Sequence, residues 1–296
     1  VPAPALRALR EAVKAKLPQA TWYSYEPCDT AESLRGTEAS FGAKLVARYR
    51  FDQAARVLAL DSDFLGNEGD SVFHSRLFAT KRKDEAHPNR LYVVEPTYTV
   101  TGTMADHRLR LPASQIGAYL VALARELKSA HAKALPDNLP APPAFPEKWV
   151  KAVAKDLTEH AGKSLIVVGP RQPAWVHALA HSVNHALGNY AAGLAEFRDA
   201  PPEHLDKPLG ELVAEMAAGK VNALLVIGGN PVSNAPADRK FTEALSKVAR
   251  KVRLGLFHDH TSERCDWHLP LAHPFEGWGD AEASDGSLCC VQPLIS

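Results

Sequence analysis

The sequence lacks most of the short signals that announce a chemistry. Its four cysteines, Cys28, Cys265, Cys289 and Cys290, form no C-x-x-C, which excludes a four-thiolate iron–sulfur spacing within the chain. Cys289 and Cys290 are adjacent and do not easily bridge each other, and the count does not decide a redox compartment. There is no G-x-G-x-x-G and no Walker lysine loop, so ordinary NAD and ATP sites are unsupported. No G-x-S-x-G elbow offers a hydrolase serine. No apolar run approaches the roughly 20 residues needed to cross a bilayer. Lys plus Arg is 34 and Asp plus Glu is 34, so no basic surplus points to nucleic acid. No signal peptide is read within the sequence given, which does not begin with Met. The sequence runs from VPAP to QPLIS without a composition shift at either end, so a piece of a longer or processed polypeptide is expected.

What is present is α/β patterning. Apolar runs RVLAL (56–60), LYVVE (91–95), SLIVV (164–168), VNALLVI (221–227) and a run over 252–257 read as strands, and 21–25 as a further one. Helical spacing joins Leu6, Leu9, Val13 and Leu17. It recurs at Ile116, Tyr119, Leu120, Leu123 and Leu127, and again at Val176, Leu179, Val183 and Leu187. Near-continuous apolar strands alternating with helices predict parallel sheets covered on both faces. Pro136, Pro140, Pro142, Pro143 and Pro146 crowd one stretch. That density excludes a helix or central strand and reads as a linker over 131–147, between α/β domains at 1–130 and 148–296.

In parallel α/β folds the functional loops lie at the carboxyl ends of strands. The most informative loop here follows VNALLVI: Gly228-Gly229-Asn230-Pro231, then Ser233-Asn234-Ala235-Pro236-Ala237-Asp238, the chemistry of a helix start. Strand, glycine turn and helix let backbone N–H groups approach a phosphate. The same glycines also serve turns that need only their backbone freedom. Arg171, after SLIVV, is placed to meet a phosphate or to bond a strand-end carbonyl. His177, His181 and His185 fall at i, i+4 and i+8, opposite the apolar stripe, and are expected to face solvent. His258, His260, Cys265, His268 and His273 fit no closed zinc spacing and are expected to serve mixed loop roles. No catalytic and no metal-binding residue is assigned.

The run ALLVIGGNPVSNAP, followed by LGLFHDHTSERCDWHLPLAHPFEGWGDAEASDG, resembles the third domain of molybdopterin oxidoreductases of the dimethyl-sulfoxide-reductase type. That family has a G-x-N-P loop, an Asp with a Thr-x-Thr-like element, an Ala-Asp-x-x-Leu-Pro segment, and then a Glu and a glycine turn. The matching positions are Gly228, Asn230 and Pro231; Asp259 with Thr261 and Glu263; Cys265 to Pro270; and Glu276 with Gly279. YSYEPCDTAESLRGTEASFG, FDQAARVLALDSDFLG, LYVVEPTYTVTGTMADHRLRLPASQIG and VVGPRQPAWVHALAHSVNHALGN are similar to a narrower subgroup, the iron–sulfur subunit of bacterial alternative complex III.

The resemblance implies two Rossmann-like domains like the central ones of the family. It also implies that Gly228, Gly229, Asn230, Pro231, Asp259, Thr261 and Glu263 line what holds, or once held, the guanosine part of the pterin cofactor. The family's cluster-binding cysteines are absent, and an ungapped count to the family's molybdenum ligand reaches Asp29, beside Cys28. The implied reading is a scaffold with a vestigial cofactor pocket and no redox centre in this chain. Its partners would be the other subunits of a membrane-bound quinol-oxidising complex, on the periplasmic face of the inner membrane. They would include a ferredoxin-like region of the same polypeptide, outside this chain, carrying the iron–sulfur clusters. Two alternatives remain: part of an active oxidoreductase carrying molybdopterin guanine dinucleotide, and a stand-alone nucleotide-binding module.

Overall fold

A computed structural model describes residues 3–28, 30–131, 145–201, 205–283 and 286–295. The chain opens with helix α1 (Pro4–Lys16), whose Pro4 sits in the first turn where its missing N–H costs nothing, and a short strand β1 (Tyr23–Ser24). Then come α2 (Ala31–Phe41), β2 (Leu45–Tyr49), β3 (Arg56–Leu60), α3 (Ser71–Arg82), β4 (Arg90–Glu95), the single turn α4 (Val100–Thr103), β5 (His107–Arg110) and α5 (Ala113–His131). After α6 (Glu147–Glu159) follow β6 (Ser164–Val168), α7 (Ala174–Ala186) and β7 (Ala195–Asp199). The last stretch holds β8 (Lys207–Pro208), α8 (Leu209–Ala217), β9 (Ala223–Ile227), α9 (Pro231–Asn234), α10 (Phe241–Leu245), β10 (Arg250–Gly255), β11 (Trp267–Pro270), β12 (Gly279–Glu282) and β13 (Leu288–Val291).

Residues 30–200 form one unit. Its parallel sheet has the order β5-β4-β3-β6. Along β3 the side chains alternate between two cores. Leu58 and Leu60 join Tyr119, Leu120, Ile166 and Val183, whereas Val57 and Ala59 join Phe51, Phe64, Phe78 and Leu165. Both faces are covered, which is why these strands are apolar at every position. Each such fully buried Leu or Ile contributes about 1.5–3 kcal/mol. A separate antiparallel pair, β2 with β7, belongs to the same unit.

The expected division at 131–147 does not match this architecture. β3 and β6 lie on opposite sides of that segment and are hydrogen-bonded neighbours. Asp156 on α6 accepts from Arg56 Nε at 2.7 Å, from Arg90 at 3.0 Å and from the Tyr92 hydroxyl at 2.6 Å, tying α6 to β3 and β4. The core of this unit therefore takes residues from both sides of that segment. Most of it, 132–144, lies outside the described residues.

The second unit combines residues 1–29 with 201–296. Its main sheet is parallel, with the order β11-β10-β9. Leu209, Leu212 and Met216 of α8 and Phe241, Ala244 and Leu245 of α10 form its core, with Leu224 of β9 packed against them. The helix start expected at Ser233–Asp238 does not open one continuous helix: extended backbone at Ala235 and Pro236 ends α9, and left-handed Lys240 separates the 3-10 turn Ala237–Arg239 from α10. Strand β1 pairs with β8, and β12 with β13. No helix among the described residues is long and apolar enough to cross a membrane.

Candidate functional site

The G-G-N-P turn leaves the carboxyl end of β9. Gly228 and Gly229 have φ of 62° and 60°, a left-handed pair that a side chain would strain, so both glycines have a backbone reason to be there. Pro231 begins α9 at the position that needs no N–H. Across the sheet, β10 ends at Gly255 and leads to Asp259, so the two loops meet at one edge of the sheet.

The residue that joins them is Arg253, in the middle of β10 and nearly fully buried. Its guanidinium donates to the Gly228 carbonyl at 2.7 Å, to the Gly229 carbonyl, and to Asp259 Oδ2 at 3.0 Å. A Cβ on Gly255 would lie 2.8 Å from the Arg253 Cζ, so the glycine two residues on makes room for the arginine. The other Asp259 oxygen accepts from the Ser262 N–H at 2.9 Å and the Ser262 hydroxyl at 3.1 Å. Burial alone would raise the Asp259 pKa, but the Arg253 and Ser262 hydrogen bonds outweigh it and hold the carboxyl below its ordinary value.

Thr261, fully buried, donates to Asn230 Oδ1 at 2.7 Å and accepts from the Val232 N–H at 3.2 Å. Thus Gly228, Gly229, Asn230, Pro231, Asp259 and Thr261 come together, and Glu263 does not: its side chain is exposed on the 3-10 turn Ser262–Arg264. Arg253 escaped the sequence reading. Its signal was a lone cation inside the apolar run VRLGLF, since a buried charge in a central strand requires partners.

The histidines separate into local roles. His260 Nδ1 lies 2.8 Å from the Ser233 hydroxyl, and His268 Nδ1 lies 3.0 Å from that of Ser262. Among the described residues no group of three or more His, Cys, Asp or Glu is placed to hold a metal ion. Cys28 is exposed, and Asp29 lies outside the described residues.

His177 and His181 correct the expectation of a solvent-facing stripe: both are buried, and only His185 is exposed. Helix α2 packs on that side of α7, and a Cβ on Gly36 would come within 2.4 Å of the His177 Cβ. His181 packs edge-on against Phe41 and Phe197 and bonds the Tyr190 hydroxyl at 2.6 Å. Burial lowers the pKa of both rings to about 4.

A second edge belongs to the unit of residues 30–200. The chain steps from β3 out to β4 and β5, then returns to place β6 on the other side of β3, so β3 and β6 flank a topological switch point. There Asp61, a non-glycine residue at φ 53°, accepts from Arg171 at 2.6 Å and from Gln172 at 2.9 Å. Arg171 therefore meets a carboxylate of its own unit. A Cβ on Gly169 would lie 1.8 Å from the Asp61 carbonyl oxygen, so the backbones touch at this crevice. Nearby, Ser62 donates to Glu68 at 2.7 Å, and burial pushes the Glu68 carboxyl up.

No family model matches the sequence. A curated relative, the menaquinone reductase molybdopterin-binding-like subunit of Nitratidesulfovibrio vulgaris (strain Hildenborough), is 25% identical over 291 residues, covering 86% of this chain and 41% of its own length. This chain thus spans less than half of that relative. Among solved structures, acetylene hydratase from Pelobacter acetylenicus matches with a TM-score of 0.62 at 14% identity, covering 91% of this chain and 48% of that one. A chain of the formyltransferase/hydrolase complex FhcABCD from Methylorubrum extorquens matches with a TM-score of 0.52 at 13% identity, covering 93% of this chain and 79% of that one. The chain therefore has a mixed α/β fold similar to a molybdopterin enzyme fold, with which the Rossmann-like reading is consistent.

Proposed function

We propose that this chain is part of a molybdopterin-oxidoreductase-like subunit of a respiratory electron-transfer complex, in which it acts as a scaffold and its ancestral cofactor pocket is closed from within. The observation that carries this reading is Arg253. Its guanidinium holds the carbonyls of the G-G-N-P loop and one oxygen of Asp259, and Ser262 holds the other oxygen. A guanine amine seeking that carboxylate would have to share Oδ2 with a hydrogen-bonded cation that is itself almost wholly buried, since Ser262 already donates twice to the other oxygen. On this reading the guanosine end of a pterin dinucleotide competes with Arg253 and Ser262 for the Asp259 carboxylate.

At the switch-point edge, Asp61 is similarly committed to Arg171 and Gln172. The name of the curated relative, a molybdopterin-binding-like subunit, supports the same reading. Following the family resemblance, the other subunits of a membrane-bound quinol-oxidising complex are the proposed partners, at the periplasmic face of the inner membrane; the relative's name, a menaquinone reductase subunit, supports a quinone-linked complex and not the direction of electron flow. The iron–sulfur clusters are assigned to a ferredoxin-like region outside this chain.

An active molybdopterin-guanine-dinucleotide enzyme is the second reading. It is favoured by one feature, the left-handed backbone of Asp61 at the switch point, because such strain gathers at functional sites. Elemental analysis of the purified chain separates the two. The scaffold reading predicts a colourless protein with far less than one molybdenum or iron per chain. Near-stoichiometric metal that is lost on mutating Cys28 and Asp29 contradicts it.

A further inference from the structure

The sheet β11-β10-β9 is covered on one side only. Right-handed crossovers place the connections from β9 to β10 and from β10 to β11 on the same side, since both steps run the same way across the sheet. Helices α8 and α10 pack on that side, over Leu224.

The other face is apolar in two successive three-strand rows. Leu225, Val252 and Trp267 form one row, and Ile227, Leu254 and Leu269 the next. Leu256 and Leu271 continue the alternation towards the loops, and both are exposed. Leu225 and Ile227 are each 55% exposed, Trp267 68% and Leu269 45%. Parallel sheets are as a rule covered on both faces, and here no described residue supplies the second layer.

We infer that this face is the docking site for one amphipathic α-helix of a partner polypeptide, apolar stripe down, with an acidic side chain towards Arg250. The size of the face selects a helix. Three strands about 4.8 Å apart and three rows about 6.6 Å apart span about 10 by 13 Å between side chains, the width of one helix and two to three of its turns. A second copy would bring another Arg250 and no carboxylate, because no residue of these rows is acidic, so a second copy is not the occupant. Charge selects the polarity. Arg250 shares this face, one row before Val252 and opposite Ala223. It is exposed, and no ion pair or side-chain hydrogen bond to it is found among the described residues. A cation at the rim of an apolar face favours a partner whose stripe ends in a carboxylate. The inference rests on the scaffold reading only in supposing that a partner exists.

The test uses the purified chain and a fluorescein-labelled designed helical peptide, with leucines at every third and fourth position and a glutamate at one end of the stripe. A lysine-ended peptide and a scrambled peptide serve as comparisons, and binding is read by anisotropy. We expect saturable binding of the glutamate peptide, about threefold tighter than the lysine peptide, as suits one exposed ion pair. Arg250→Glu reverses that preference. Leu269→Asp, on one edge strand, or Leu225→Asp, on the other, weakens binding more than about tenfold. Circular dichroism checks that each variant is folded. Three results overturn the proposal: equal binding of the scrambled peptide, wild-type binding by both folded aspartate variants, or self-association in sedimentation that Leu269→Asp abolishes. Tight guanosine diphosphate binding would overturn the closed-pocket reading and leave this test untouched.

Discussion

Acidification from about pH 7.5 to about pH 4.5 will destabilise the unit of residues 30–200 through His177 and His181. Burial lowers both rings from 6.5 to about 4, and His177 Nε2 is buried with no hydrogen-bond partner among the described residues, so its protonated form would bring an unanswered N–H into the core. A ring whose pKa is lower folded than unfolded must give up affinity for its proton to fold. Its contribution is full above about pH 6.5 and is lost as pH falls through about 4. The fall is worth about 3 kcal/mol for each ring, most of it spent by pH 4.5.

Urea midpoints should drop by about 1–3 M for each ring, at about 1–3 kcal/mol per molar. Glu68 works against this trend, because burial raises its pKa and acid therefore favours its folded, neutral form. The histidine contribution is isolated by a variant. His181→Phe keeps the ring cluster with Phe41, Tyr190 and Phe197 and should remove that ring's share of the acid sensitivity, leaving those of His177 and of His74, whose pKa burial also lowers. Urea titrations followed by circular dichroism, together with histidine Cε1–H shifts by NMR, provide the measurement. Titration of both rings near 6.5, or a midpoint that does not move between the two pH values, would refute the reasoning.

Arg253→Met should cost about 2–3 kcal/mol. It strips donors from two loop carbonyls and from Asp259, but Asp259 keeps partial water access, so the loss falls below that of a fully buried pair. Thermal melts of the variant and the parent check this, and an unchanged midpoint would mean that the guanidinium is not holding the loops. Cleavage at a protease site engineered near residue 138 should leave the pieces associated in gel filtration, because β3 pairs with β6 and Asp156 binds Arg56 and Arg90 across the cut. Separation of the pieces without denaturant would restore a boundary there.

Much of the parallel architecture was legible because strands covered on both faces are apolar at every position. RVLAL, LYVVE and SLIVV were each found as strands within a residue of the expected ends. The partition was not legible. Proline density reports where regular structure stops, whereas the partner of β6 is chosen by sheet pairing, which sequence periodicity does not encode. The buried histidines were misplaced for a related reason: a helical wheel finds the more apolar face, but not a second neighbour on the other side. Gly36, against which His177 packs, was the available cue. At the candidate site the glycine turn, Asp259 and Thr261 were visible as types and order. Arg253 was missed because its role depends on carbonyls brought to it by β9. β2 and β7 were missed because their half-buried, charged sequences lack the apolar signal.

The most direct test of a pocket closed by Arg253 and Ser262 is calorimetry of guanosine diphosphate with the parent chain and with Asp259→Ala. A nucleotide half-site without pterin or metal contacts still loses translational and rotational freedom on binding. The account predicts a dissociation constant of about 1 mM or weaker, about 4 kcal/mol at most, with little change on removing Asp259. Micromolar binding abolished by Asp259→Ala would show a working nucleotide site and would contradict the account.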